Sequence, residues 1–240
     1  MQWQDYAKTL KDVLELKGSP VSVTYTDKDC DGLQNKCFAC DAFIKARNGE
    51  TIVLNRENQA CPGGAWHLGL APTPEGKPKE ILTRFIVEGE KLFCSPAAAY
   101  RVSLEDPLNL DITRNIILCP LEKAELRPDV VLFFVNPEQA CRLMALATWS
   151  TGISPRCSFV GSTCRMAVTY PLLKGENNVI LGDYTSRKRK VLIPEELIVS
   201  IPYHNLHSIV EAIPYCTAGT APFAGYGQIA QEVSGSLNHS

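Results

Sequence analysis

Four of the ten cysteines fall within the stretch Cys30–Cys61, which reads Cys30-(six)-Cys37-Phe-Ala-Cys40-(twenty)-Cys61-Pro62-Gly63-Gly64. Thiolates bind soft metals and attack electrophiles, so this concentration is where chemistry is expected. Cys37 and Cys40 have the spacing of a redox pair, half a zinc site or part of an iron–sulfur site. A thioredoxin-like pair would follow a strand directly, whereas the polar loop Asp27–Asn35 intervenes here. A zinc ribbon needs a second close pair, and Cys157 and Cys164 are separated by six residues. The plain alternative is two buried thiols on a core helix.

Cys61 carries a stronger signal. Pro62-Gly63-Gly64 predicts a tight turn into a helix start, with the sulfur facing the turn's N–H groups. Those groups and the helix dipole stabilise a thiolate. Proline also follows a cysteine ligand in bacterial ferredoxins. Cys164 lies in Gly161-Ser-Thr-Cys-Arg165, read as a small-residue turn entering a strand, and the adjacent Arg165 guanidinium favours a thiolate. Cys94, Cys119, Cys141 and Cys216 read as core thiols. His204 and His207 share a spacing that suits a metal, but they follow Ile-Pro-Tyr at the start of a surface helix. The basic run Ser186–Lys190, including Arg187, reads as a solvated loop or a contact for phosphate or an acidic partner. Walker, dinucleotide and nucleophile-elbow motifs are absent from the sequence.

The elements that must position these residues follow from periodicity. Helices are expected near residues 3–16, 36–47, 79–88, 97–104, 138–149 and 205–213, with a short one after Cys61. Strands are expected near 20–25, 51–54, 115–119, 129–135, 163–170, 178–181 and 197–201. Strands and helices mix without strict alternation, which favours α+β: one compact domain with a mixed sheet and flanking helices. Val130–Ala147 resembles a second β–α unit like Val21–Ala46, suggesting two related halves. Residues 1–216 form the domain, and 217–240 are a Gly/Ala/Ser-rich tail without a clear period.

The chain of 240 residues can bury a core without staples. Its net charge of −2 argues against nucleic acid and against an electrostatic membrane anchor. No apolar run approaches the roughly 18 residues of a membrane span, and the N-terminus lacks the order of a signal peptide. A cytoplasmic location with free thiols is therefore expected.

At Cys40-Asp-Ala-Phe-Ile-Lys-Ala-Arg-Asn-Gly49, Cys61-Pro-Gly-Gly64 and Leu68-Gly-Leu70, the chain resembles the family catalogued as domain of unknown function 169, found in bacteria and archaea, many of them anaerobes. Pro20-Val-Ser-Val23, Ser95-Pro96, Pro128-Asp-Val-Val131, Asn136-Pro-Glu-Gln139, Thr163-Cys164, Leu181-Gly182 and Ile201-Pro202 extend the likeness over about residues 3–213. The resemblance implies cysteines at Cys40, Cys61 and Cys164, and often two more in a Leu-Gly-Cys-x-x-Cys-Arg turn. Here Asp183 and Ser186 stand at those two positions, before Arg187.

The resulting expectation is an iron–sulfur protein, with a [4Fe-4S] cluster preferred over zinc. Cys40, Cys61 and Cys164 would be thiolate ligands, and the fourth position would be Cys37, Cys157, Asp183 or open. Gly63, Gly64, Arg165 and Arg187 would line the cofactor. The expected partner is a small molecule or a redox protein. The alternative is an accessory, small-molecule-binding protein with structural cysteines. Its pocket would lie between the Cys61–Leu70 turn and the helix start at Asn136. A Cys61-nucleophile enzyme ranks last, because no His–carboxylate partnership is evident.

Overall fold

The alternating segment at residues 21–26 and the apolar run at 130–135 pair antiparallel through Val21–Val23, with Val21 opposite Leu132, at the centre of a mixed sheet. The computed structural model describes residues 2–33, 35–103, 110, 113–159, 161–223, 225 and 227. In chain order its first elements are α1 (Gln2–Val13), β1 (Val21–Thr26), α2 (Ala39–Arg47), β2 (Ile52–Asn55), α3 (Pro62–His67), α4 (Gly76–Arg84) and α5 (Pro96–Ser103). Then come β3 (Asn115–Pro120), β4 (Val130–Val135), α6 (Pro137–Thr148), β5 (Arg156–Ser158), α7 (Tyr170–Lys174), β6 (Asn178–Ile180), α8 (Tyr184–Lys188), β7 (Leu197–Pro202) and α9 (Tyr203–Ala212). The sheet runs β2-β3-β1-β4-β7-β6-β5. Its pairings are antiparallel except for β5 with β6. This is one α+β domain.

The central strand β4 is buried along its whole length, so both faces of the sheet are covered. Val130, Leu132 and Phe134 point into a layer shared with α2, α3 and the helical segment around Cys164. Val131, Phe133 and Val135 point into the opposite layer, shared with α1, α6 and α9. The period of two along the strand divides the core in this way. Both β–α units recognised in the sequence are present, but α2 and α6 lie on opposite faces. The proposed pocket between the Cys61 turn and the Asn136 helix start is therefore not formed. Asn136 and Gln139 make a capping box, and the Gln139 amide reaches the carbonyls of Leu14 and Glu15.

Three expectations are corrected. The run 163–170 is not a strand: Thr163 and Cys164 begin a helix, Arg165–Thr169 form a π-helical turn, and α7 follows. Cys164, Ala167 and Val168 recur at the i, i+3, i+4 spacing of a helix and pack on the sheet. A short apolar run does not separate a buried helix from a strand. Pro171 supplies no N–H, which suits a widened turn just before it. Next, α2 begins at Ala39 rather than at Lys36, so Cys37 lies outside it. Cys37 donates its N–H to the Asn58 carbonyl at 3.0 Å and accepts the Ala60 N–H at 2.9 Å, a bridge that holds it extended. Finally, the basic run belongs largely to α8 rather than to a loop. Its start is capped by Asp183, whose carboxylate accepts the Ser186 N–H at 2.7 Å.

The short edge strand β5 was not expected, because three residues, two of them exposed, carry no periodic signal. Leu104 of the expected 97–104 helix, and most of the tail beyond 223, lie outside the described residues. Among the described residues no helix is long and apolar enough to cross a membrane.

Candidate thiol centre

Cys61 is the N-cap of α3. Its backbone is extended, and its Sγ accepts the Gly64 N–H at 3.3 Å. Pro62 follows at the first helical position, where a missing N–H costs nothing. Gly64 is closely packed: a Cβ there would lie 3.2 Å from Gln59 Nε2 and 3.4 Å from the Cys61 Cβ, so Gln59 would have to give by a few tenths of an ångström. At Gly63 a Cβ would meet the Cys61 Sγ at 3.9 Å, an ordinary contact. Gln59 in turn accepts the Cys61 N–H on its Oε1 at 3.0 Å.

Cys40 stands in the first turn of α2, half-buried. Arg189, just past α8, donates to its Sγ at 3.3 Å and to the Asp41 carboxylate at 2.5 Å, with its guanidinium 4.0 Å from the Phe38 ring centre. Burial pushes the Cys40 thiol up to about 11, although Arg189 pulls it down. Cys164 lies deeper, 9 % exposed, within the apolar layer that Cys40 packs against. Its thiol is raised well above the ordinary value, first by burial, then by its nearness to Cys61, Cys40 and Asp183. Thus α2, the α3 turn and the 163–174 helix, distant in sequence, bring Cys40, Cys61 and Cys164 into one electrostatic neighbourhood.

Asp183 belongs to the same neighbourhood, but its oxygens are engaged. Oδ1 accepts the Ser186 N–H, and Oδ2 accepts the Thr163 N–H at 2.9 Å and lies 2.7 and 2.9 Å from the hydroxyls of Thr163 and Ser186. The two positions where the resemblance places cysteines are thus occupied by a carboxylate–hydroxyl network that ties α8 to the start of the Cys164 helix. Beside it, the Glu90 carboxyl is raised by burial, opposed by a hydrogen bond with Thr185.

His67 closes α3 and is buried. Its Nε2 lies 2.9 Å from the Ser162 hydroxyl, and its carbonyl accepts from the Thr169 hydroxyl. Burial lowers its pKa to about 3, with the charge of Arg165 acting in the same direction. It is therefore neutral at pH 7. Arg165 is only 3 % exposed.

Other expected site residues lie elsewhere. Cys37 is buried in the core, where its charged influences are Lys45 and Asp41 rather than the three thiols. Cys157 is exposed on β5. Arg187 donates to the carbonyls of Leu181 and Glu196, each at 2.7 Å, so it fastens the loop after α8. Cys119 and Cys216 are buried as expected, whereas Cys94 and Cys141 are exposed. A cysteine near a helix start need not face the core. None of the ten cysteines forms a disulfide. Arg189 went unrecognised in the sequence: the basic run marked its segment, but nothing local marked its reach to Cys40.

Among the described residues, no three His, Cys, Asp or Glu side chains are grouped closely enough to hold one metal ion. A single tetrahedral ion with 2.3 Å bonds requires sulfurs about 3.8 Å apart. A cluster of several irons holds its thiolates farther apart, because each binds a different iron.

The fold is a mixed-sheet α+β domain in which Cys40 and Cys164 pack in one layer and Cys61 is within their electrostatic reach. Residues 9–212 match the model of the family described as Uncharacterised ArCR, domain of unknown function 169, and the chain belongs to that family. It is also similar to an uncharacterized protein of Methanocaldococcus jannaschii, at 28 % identity over 179 residues, covering 73 % of this chain and 76 % of that one. No solved structure matches it.

Proposed function

We propose that this protein binds an iron–sulfur cluster, preferentially [4Fe-4S], through Cys40, Cys61 and Cys164. The observation that supports this reading is that Cys40 and Cys61, from two other segments, lie within electrostatic reach of the buried Cys164. Their surroundings suit the group. The Gly64 N–H and the Arg189 guanidinium already donate to two of the sulfurs, and such donors stabilise sulfur that carries negative charge.

When bound, the cluster would supply either electron transfer or, with one iron lacking a protein ligand, Lewis-acid activation of a small molecule. The chain's own part is to hold three thiolates and to shield Cys164 within the apolar layer. Asp183 has all its near donors in place, which favours an open fourth position over carboxylate ligation. Arg189, stacked on Phe38 at the outer edge, would meet an incoming anionic molecule or a redox partner.

Purification without oxygen, followed by iron and sulfide analysis, tests the reading. Iron and sulfide in equal amounts, lost on replacing Cys164, are expected. A folded, colourless and iron-free chain after anaerobic reconstitution would overturn it in favour of an accessory protein with structural thiols.

A further inference from the structure

Two buried polar atoms beside the thiol centre have no hydrogen-bond partner among the described residues: Gln59 Nε2 and the Tyr25 hydroxyl. Buried polar groups are nearly always paired, so an orphan donor next to a candidate ligand site points to an acceptor held there. Gln59 is 8 % exposed. Its orientation is fixed by chemistry, because Oε1 accepts the Cys61 N–H; a flipped amide would set two donors against each other. The NH2 group therefore faces away from that bond, against the α3 turn, 3.2 Å from where a Gly64 Cβ would lie. Tyr25 sits at the end of β1, packed on the same apolar layer as Cys40 and Cys164. Burial raises its hydroxyl far above its ordinary value, with Cys164 the next influence.

We propose that Gln59 and Tyr25 are hydrogen-bond donors to the group held by Cys40, Cys61 and Cys164, which must present acceptor atoms to them. This rests on the cluster reading and adds to it two positioning residues. Sulfide and thiolate sulfur accept such bonds, and hydrogen bonds to sulfur help set a cluster's potential. They favour the more negative, reduced state, so their removal lowers the potential. A third orphan, the Ser200 hydroxyl on β7, lies across from Asn178 in the sheet and serves as the control.

The test uses the full chain loaded with iron and sulfide without oxygen, and compares Tyr25→Phe, Gln59→Glu and Ser200→Ala with the unsubstituted protein. Tyr25→Phe deletes only the hydroxyl. Gln59→Glu keeps an acceptor for the Cys61 N–H and removes the amide donor. Both are expected to release iron to a chelator faster, by roughly two- to tenfold, the worth of one hydrogen bond. Tyr25→Phe should also have a more negative potential while leaving the melting temperature of the metal-free chain unchanged or higher. Ser200→Ala should change neither release nor potential. If Gln59→Glu does not fold, Tyr25→Phe decides alone. A chain that takes up iron but shows the same potential and release rate in Tyr25→Phe overturns this inference and leaves the cluster reading standing. A chain that takes up no iron overturns both.

Discussion

Replacing Cys61 by serine separates a ligand from a structural thiol. In the structure the Cys61 Sγ accepts the Gly64 N–H at 3.3 Å, a weak version of the bond that an N-cap hydroxyl makes. Serine is among the best N-cap residues, and a good cap is worth about 0.5–2 kcal/mol over alanine. The fold should therefore tolerate Cys61→Ser, with a metal-free melting temperature within about 3 °C of the parent, since 1 kcal/mol corresponds to roughly 2–4 °C at this size. Iron content should fall sharply, because a hydroxyl is harder and far less acidic than a thiol. Cys119→Ser is the control. Cys119 is 4 % exposed, and its thiol is hydrogen-bonded to Ser22. A serine there keeps that partner, so its cost should fall below the roughly 1–3 kcal/mol of an unpaired buried hydroxyl. Iron per chain and thermal melting of the metal-free form are the two assays. Full iron content in Cys61→Ser, or iron loss in Cys119→Ser, would refute the assignment of the site.

Three further outcomes are expected. Arg47 and Glu196 form a bidentate pair at 2.9 and 2.6 Å, with side chains 15 and 8 % exposed, that fastens α2 to the segment before β7. Arg47→Ala strands the carboxylate and should cost about 3–5 kcal/mol, lowering the melting temperature by on the order of 10 °C; a loss below about 1 kcal/mol in denaturant titrations would count against a structural role. His67 has its folded pKa depressed to about 3 against an ordinary 6.5. The unfolded chain thus binds the extra proton first, and stability present above pH 6.5 is lost as pH falls toward 3, by at most about 1.4 kcal/mol per pH unit. Denaturation midpoints from pH 7 to 4 should show a shallower slope in His67→Gln, and an unchanged slope would contradict a buried neutral imidazole. Asp183→Ala removes the cap of α8 and the acceptor for the Thr163 N–H, and should cost at least the roughly 1 kcal/mol of a lost cap. Hydrogen exchange should be faster in both α8 and the Cys164 helix; protection unchanged in the latter would show that the network does not couple them.

Local chemistry in the sequence determined the strands with clear apolar runs, such as Val130–Val135, and the helices with caps and stops, such as the one opened by Asn136-Pro137. It also determined the N-cap position of Cys61, because Pro-Gly-Gly can satisfy that turn with residues adjacent in the chain. The tertiary structure alone decided what depends on partners far along the chain. The run 163–170 is helical because its i, i+3, i+4 stripe meets the sheet, a choice that its composition leaves open. Cys37 leaves α2 because residues 58–60 offer its backbone a bridge. Arg189 reaches Cys40 across 149 residues of chain, and Asp183 reaches Thr163 across 20, contacts that no local period encodes. Cysteine type and spacing marked the thiols that could do chemistry; packing on one face of the sheet decided that Cys40, Cys61 and Cys164 come within electrostatic reach of one another, that Cys37 is held extended in the core, and that Cys157 is exposed on β5.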